Sequence, residues 1–195
     1  MRKMERVWSL VIILSFDLVV ICCDATETPQ YTVVHSEPDF DIRLYAESYW
    51  MSALVRGISF EKSTEEGFHR LYQYIHGANL NSSRLMMTAP VLTSITPTGH
   101  GFEYLVRFFL PAKYEGIPPQ PNPELNLLFY EWRSHCIAVR KFSGFAKDDT
   151  INEEKEALVA SLDNRLTGKT AVLEDKEFLH NCPIQCFTPP YRSPE

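Results

Sequence analysis

Residues 60–77 read FEKSTEEGFHRLYQYIHG, and the spacing of their apolar side chains decides how the rest of the chain is read. Phe68, Leu71, Tyr72 and Ile75 recur at i, i+3, i+4 and i+7, the period of one helix face. Ser63 or Thr64 can cap the start, Glu65 and Glu66 suit its positive end, and Gly77 stops the run. The pattern predicts an amphipathic helix over about residues 60–76. Upstream, residues 31–34, 40–45 and 50–58 are rich in β-branched and aromatic residues and are separated by Glu37-Pro38-Asp39 and Ala46-Glu47-Ser48, so they read as short antiparallel strands. Downstream, residues 86–93 and 103–110 flank the turn Thr96-Pro97-Thr98-Gly99-His100-Gly101 and predict a hairpin.

Residues 111–123 contain Pro118, Pro119, Pro121 and Pro123, which favour an extended connector and exclude regular structure there. Beyond it the order of elements restarts: strands at 125–132 and 137–142, then a helix at about 152–164. Shifted by 85 positions, Tyr45 falls on Tyr130, Ala53 on Ala138, Arg56 on Lys141 and Phe60 on Phe145. Repeated order with matching residues points to a duplicated unit. The fold class expected is α+β: a distorted antiparallel β-barrel of two strand-helix-strand repeats flanked by two helices.

Of 195 residues, 45% are hydrophobic and 23% charged, values of an ordinary globular chain with room for one well-cored domain. A net charge of -6, with no basic run outside the extreme N-terminus, argues against a nucleic-acid partner. Arg2, Lys3 and Arg6 precede a mostly apolar stretch, residues 7–23, interrupted by Asp17. This predicts a signal peptide over residues 1–25, cleaved after Ala25, rather than a stable membrane span. The mature domain would be a monomer in the secretory pathway, extracellular or vacuolar. It keeps Cys136, Cys182 and Cys186, so at most one disulfide forms within it, and Cys182 with Cys186 is the candidate pair. Asn81-Ser82-Ser83 is a glycosylation sequon on an expected surface turn, with Asn81 as acceptor.

Three motifs carry a family resemblance: Met87-Thr88-Ala89-Pro90-Val91 after the first helix, Phe108-Phe109-Leu110-Pro111 at a strand end, and Phe142-Ser143-Gly144-Phe145-Ala146 before the second helix. Together they resemble the SOUL haem-binding proteins, in a plant-type, secretory branch. The resemblance implies the two-repeat barrel and a haem or related tetrapyrrole lying in an open apolar groove on the first helix. The groove-facing residues would be Phe68 and Tyr72, with Leu71 and Ile75 behind or beside them, and Arg70 is the candidate partner for the propionates. Two departures stand out. Ile42-Arg43-Leu44-Tyr45 places a leucine where animal members carry a histidine proposed as iron ligand, and from about residue 174 the chain lacks the expected final strand.

With Leu44 unable to ligate, His69 and His76, which share a helix face with Tyr72, are the candidate iron ligands. His135 and Cys136 are neighbours on a strand and point to opposite sides, which argues against a catalytic dyad. Paired carboxylates at helix starts, Glu65-Glu66 and Glu153-Glu154, are explained by the helix dipole. No catalytic residue and no separate metal site is expected. The function expected is non-enzymatic binding or carriage of haem. The alternative is an apolar-ligand sensor or protein-interaction module, as in similar duplicated multidrug-binding domains of bacterial regulators.

Overall fold

A computed structural model describes residues 26–114 and 116–167. The leader, residues 1–25, the Cys182 and Cys186 pair and the chain end beyond residue 174 lie outside the described residues. Seven strands and two helices follow in the order β1 (Tyr31–Ser36), β2 (Asp41–Tyr45), β3 (Ser48–Gly57), α1 (Phe60–Ile75), β4 (Val91–Thr98), β5 (Gly101–Phe109), β6 (Leu127–Trp132), β7 (His135–Val139) and α2 (Asp148–Thr167). They form an α+β fold of two antiparallel sheets, β1-β2-β7 and β4-β5-β3-β6. Among the described residues no ladder joins the two sheets into a closed barrel.

Period-two alternation assigns the faces. Met51, Ala53, Val106 and Phe108 face α1 and bury its Leu71, Tyr74 and Ile75. On the opposite face of the same sheet, Trp50, Leu92, Phe109 and Trp132 meet Tyr45, Ile137 and Val139 of the three-stranded sheet. The outer face of that second sheet, Ile42, Cys136 and Ala138, is covered by Leu158 and Leu162 of α2. The layers therefore run helix, sheet, sheet, helix.

The register carries the internal repeat. Tyr45 pairs with His135, and moving the first forward and the second back by 85 positions gives Tyr130 and Trp50, also an observed pair. Arg43 with Ile137 maps in the same way onto Leu128 with Ser52. The β2–β3 run thus pairs with the β6–β7 run about a local two-fold. The correspondence stops before the helices: Phe60 is buried at the start of α1, whereas Phe145 is 72% exposed and precedes α2 by three residues.

Other expectations shift with tertiary context. The strand expected at residues 86–93 begins only at Val91, after the cis Ala89–Pro90 bond, and Met86 and Met87 are exposed loop residues. The proline connector is not featureless. Its ends form the 3-10 turns Ala112–Tyr114 and Pro123–Leu125, and its middle is tied to the end of α1 by Leu80 N–H to Gln120 O (2.8 Å) and Asn122 N–H to Ala78 O (3.1 Å). No described helix is long and apolar enough to cross a membrane.

Candidate functional site

The first helix is the element on which both packing and exposed aromatic surface converge. Its start is not capped by Ser63, which is buried within it, nor by Thr64. The cap residue is Ser59, whose side chain makes no bond to the helix. Asp148, in the first turn of α2, supplies the carboxylate instead, accepting from the Phe60 N–H at 2.7 Å and the Ser59 hydroxyl at 3.0 Å. A negative group at these orphan amides satisfies the helix end and its dipole. Asp148 thereby pins the start of one helix to the start of the other, a link that sequence spacing gave no means of finding.

The buried stripe of α1 is Phe60, Ser63, Gly67, Leu71, Tyr74 and Ile75. At Gly67 a Cβ would lie 2.5 Å from Val106 Cγ2, so glycine lets the helix approach the sheet this closely. Leu71 and Ile75 are 1% and 2% exposed, which commits them to the core and leaves them no surface for a ligand. The expected groove stripe is thus split by the angle at which the helix meets the sheet. Tyr74, at 0% exposure, donates its hydroxyl to Pro119 O at 2.8 Å, and burial pushes that hydroxyl's pKa well up. It remains a protonated donor that anchors the connector.

Phe68 and Tyr72 lie on the other side. Phe68 is half-buried and Tyr72 is 44% exposed, with ring centroids 6.2 Å apart. His76 continues the column, its ring stacked on Tyr72 at 3.9 Å between centroids. Three aromatic rings thus share the outer surface of α1 at i, i+4 and i+8, the spacing of one helix face.

The two histidines differ in what their hydrogen bonds leave available. His76 Nδ1 lies 2.8 Å from the Tyr72 carbonyl. A carbonyl only accepts, so Nδ1 is the donor, and in the neutral ring Nε2 carries the lone pair. His69 Nδ1 lies 3.1 Å from the side-chain amide nitrogen of Gln73, which only donates. With the amide in this orientation Nδ1 is the acceptor, and the neutral ring carries its proton on Nε2. Both rings are exposed. A metal drawn to this face therefore finds a ready nitrogen at His76 and a protonated one at His69.

Arg70 faces inward. Its Nε donates to Leu125 O at 2.8 Å, Nη1 to Leu54 O at 3.0 Å, and Nη2 to Asn126 O. Three carbonyls from two segments hold the guanidinium between α1, β3 and the turn before β6, so it acts as a clamp rather than as a partner for ligand carboxylates. The N-terminal half of the outer face carries Glu61, Glu65 and Glu66, all exposed, so an anionic ligand is disfavoured there and the aromatic C-terminal half is the accommodating end.

The remaining residues of interest are dispersed. Leu44 is 37% exposed on the three-stranded sheet, paired with Thr32 and Cys136. His135 and Cys136 alternate, the thiol buried and the imidazole packed edge-on against Trp132. Asn81 is exposed in the turn after α1, where Asn79 bonds to Ser83. A cavity of ≈ 200 Å³ opens between the connector, at Pro118 to Pro121, and Met51, Leu127 and Phe129, remote from the outer face of α1. Among the described residues no group of three His, Cys, Asp or Glu side chains is placed to hold a metal ion.

Comparison with known proteins gives this site its context. The profile of the family described as SOUL heme-binding protein matches residues 26–189. Heme-binding protein 2 of Homo sapiens is 27% identical over 171 residues, covering 83% of this chain and 81% of the relative. Heme-binding protein 2 of Mus musculus is 25% identical over 158 residues, covering 80% and 71%. Heme-binding protein 1 of Xenopus laevis is 28% identical over 114 residues, covering 56% and 58%. These relatives are animal proteins, and they carry nothing on a plant-type or secretory branch. With its two-sheet α+β architecture and a family match spanning most of its length, the chain belongs to the SOUL heme-binding protein family.

Proposed function

We propose that the protein binds haem or a related tetrapyrrole without chemistry, on the outer face of α1. The observation that carries this reading is the Phe68–Tyr72–His76 column, with Tyr72 and His76 exposed, ending in an imidazole whose Nδ1 is engaged by the Tyr72 carbonyl, which leaves Nε2 as the free nitrogen of the neutral ring. A flat macrocycle gains affinity from aromatic contact area, which Phe68 and Tyr72 offer, and its iron takes an axial nitrogen, for which His76 is better prepared than His69. Arg70 orients the helix from behind. The family and the names of the relatives support the ligand class.

The same reading treats the two sheets as parts of one distorted barrel, supported by the two-fold register of β2–β3 with β6–β7. It also places the protein in the secretory route, supported by the basic-then-apolar start and the exposed sequon residue Asn81. Titration of the purified full chain with hemin tests the function. A Soret shift with micromolar affinity, weakened at least tenfold in Tyr72→Ala, is expected. Unshifted hemin at these concentrations sinks the proposal.

A further inference from the structure

Among the described residues two arginines are nearly as buried as the surrounding core, and only one of them has a counter-charge there. Arg43 is 7% exposed and is held by Asp41, at 2.6 Å from Nη2 and 3.2 Å from Nε, with its guanidinium 4.6 Å from the Tyr31 ring centroid. The Asp41 carboxyl is accordingly held below its usual range by the Arg43 bond. Arg107, on the central strand β5, is 6% exposed. Among the described residues its one hydrogen bond runs from Nη1 to the Ser94 hydroxyl at 2.6 Å, and its guanidinium lies 5.0 Å from the Tyr130 ring centroid and 5.4 Å from that of Trp132.

No ion pair to Arg107 occurs among the described residues, and burial drives its pKa down. Its Nε has no acceptor, and directly across the β3–β5 ladder the Ser52 hydroxyl, 1% exposed, is also without a partner. A guanidinium keeps its charge when buried, so the desolvation cost stands until an anion meets it.

The surroundings define the kind of anion. Arg107 projects from the face of β5 opposite α1, because its neighbours Val106 and Phe108 are the residues that pack on that helix. On the Arg107 side, Trp50, Leu92, Phe109 and Trp132 close one end of the space between the sheets. Toward the other end Leu54 and Leu105 are half-buried, and Leu128 and Tyr130 are 56% and 43% exposed. A cation with two idle polar atoms at its base and an apolar, partly open rim is complementary to an amphiphile's carboxylate head and hydrocarbon tail.

We infer that the space between the sheets is a second ligand site, which takes the carboxylate of an apolar monocarboxylic acid on Arg107 and Ser52, separate from the helix face assigned to haem. The inference does not depend on haem binding. Isothermal titration of the full chain with three probes of one tail length, dodecanoate, dodecanol and dodecyltrimethylammonium, tests it. Dodecanoate is expected to bind at least tenfold more tightly than the alcohol, to quench Trp132, and to raise the melting temperature, while the cation does not bind.

Arg107→Met is expected to abolish the preference for the acid and the thermal shift, and to melt without ligand at or above the parent temperature, because it removes an uncompensated buried charge. Ser52→Ala is expected to weaken dodecanoate several-fold and leave dodecanol unchanged. Equal affinity for acid and alcohol, retention of the preference in Arg107→Met, or a marked fall in that variant's melting temperature would each overturn the inference. The last result would mean that the chain already supplies the missing anion. Displacement of dodecanoate by hemin would move the probe to the helix face and overturn it as well.

Discussion

The two sides of α1 are built from the same residue types and do opposite work. Leu71, Tyr74 and Ile75 face the sheet and are all but inaccessible, while Phe68, Tyr72 and His76, interleaved with them, leave aromatic surface turned outward. On the inner side Gly67, Arg70 and Asp148 fix the helix by close approach, by carbonyl contacts and by an end cap. On the outer side the ring contacts of Phe68, Tyr72 and His76 and the local histidine bonds run along the helix itself. A surface available to a flat ligand is thus backed by a helix whose position is overdetermined from behind. Preorganisation of this kind lowers the ordering cost of binding.

Substitutions that separate the two sides test this contrast. Leu71→Ala opens a cavity in the core and is expected to cost ~2–5 kcal/mol in urea unfolding, with hemin affinity per folded molecule unchanged. A proportionate loss of hemin affinity at full folding would show that the sides are not independent. Arg70→Met leaves three carbonyls without their donor and is expected to cost ~1–3 kcal/mol by the same measurement. Because the arginine is a clamp, it should not change the salt dependence of hemin binding. A steeper or shallower salt dependence would return Arg70 to a direct role at the ligand.

Asp148→Ala removes the cap that joins the helices and is expected to lower stability by ~1 kcal/mol, with faster hydrogen exchange in the first turn of α1. Tyr72→Ala reverses the pattern. Stability should change by no more than ~0.5 kcal/mol, as for an exposed position, while hemin affinity falls at least tenfold. The finest distinction lies between the histidines. His76→Ala should alter the Soret position of the complex, whereas His69→Ala should leave it in place. The opposite result would mean that ligand binding exchanges the proton between the His69 nitrogens.

Much of this was legible in the sequence, for reasons that differ between elements. The period of residues 60–77 identified α1 to within a residue, since the helical repeat is local and Gly77, at φ 108°, ends it without side-chain strain. The strand of residues 50–58 and the hairpin at Gly99-His100 were likewise set by local chemistry. The strand expected from Met86 failed because apolar residues before Pro90 read as strand, while they are exposed loop in the fold. The face assignment on α1 was partial for a related reason. A stripe of Phe68, Leu71, Tyr72 and Ile75 is wider than the contact the sheet makes, and periodicity cannot say which edge of the stripe stays outside.

Arg107 has a trace in the sequence. In Leu105-Val106-Arg107-Phe108-Phe109 a charge interrupts an apolar strand, and such a charge marks either a paired interior site or an edge. Which of the two applies depends on strands distant in the chain. The same holds for Asp148, which reads as an ordinary first-turn acid of its own helix and serves the amides of another.

The sequence by itself determined the helix, most of the strands, the order of the two repeated units and the family, because periodicity, turn chemistry and motifs are properties of contiguous residues. Only the tertiary structure decided which aromatic rings of α1 remain outside, that Arg70 turns inward, and that Arg107 is buried with no counter-charge among the described residues. Each of these depends on where a remote backbone segment comes to rest against a side chain, and no local pattern encodes that distance.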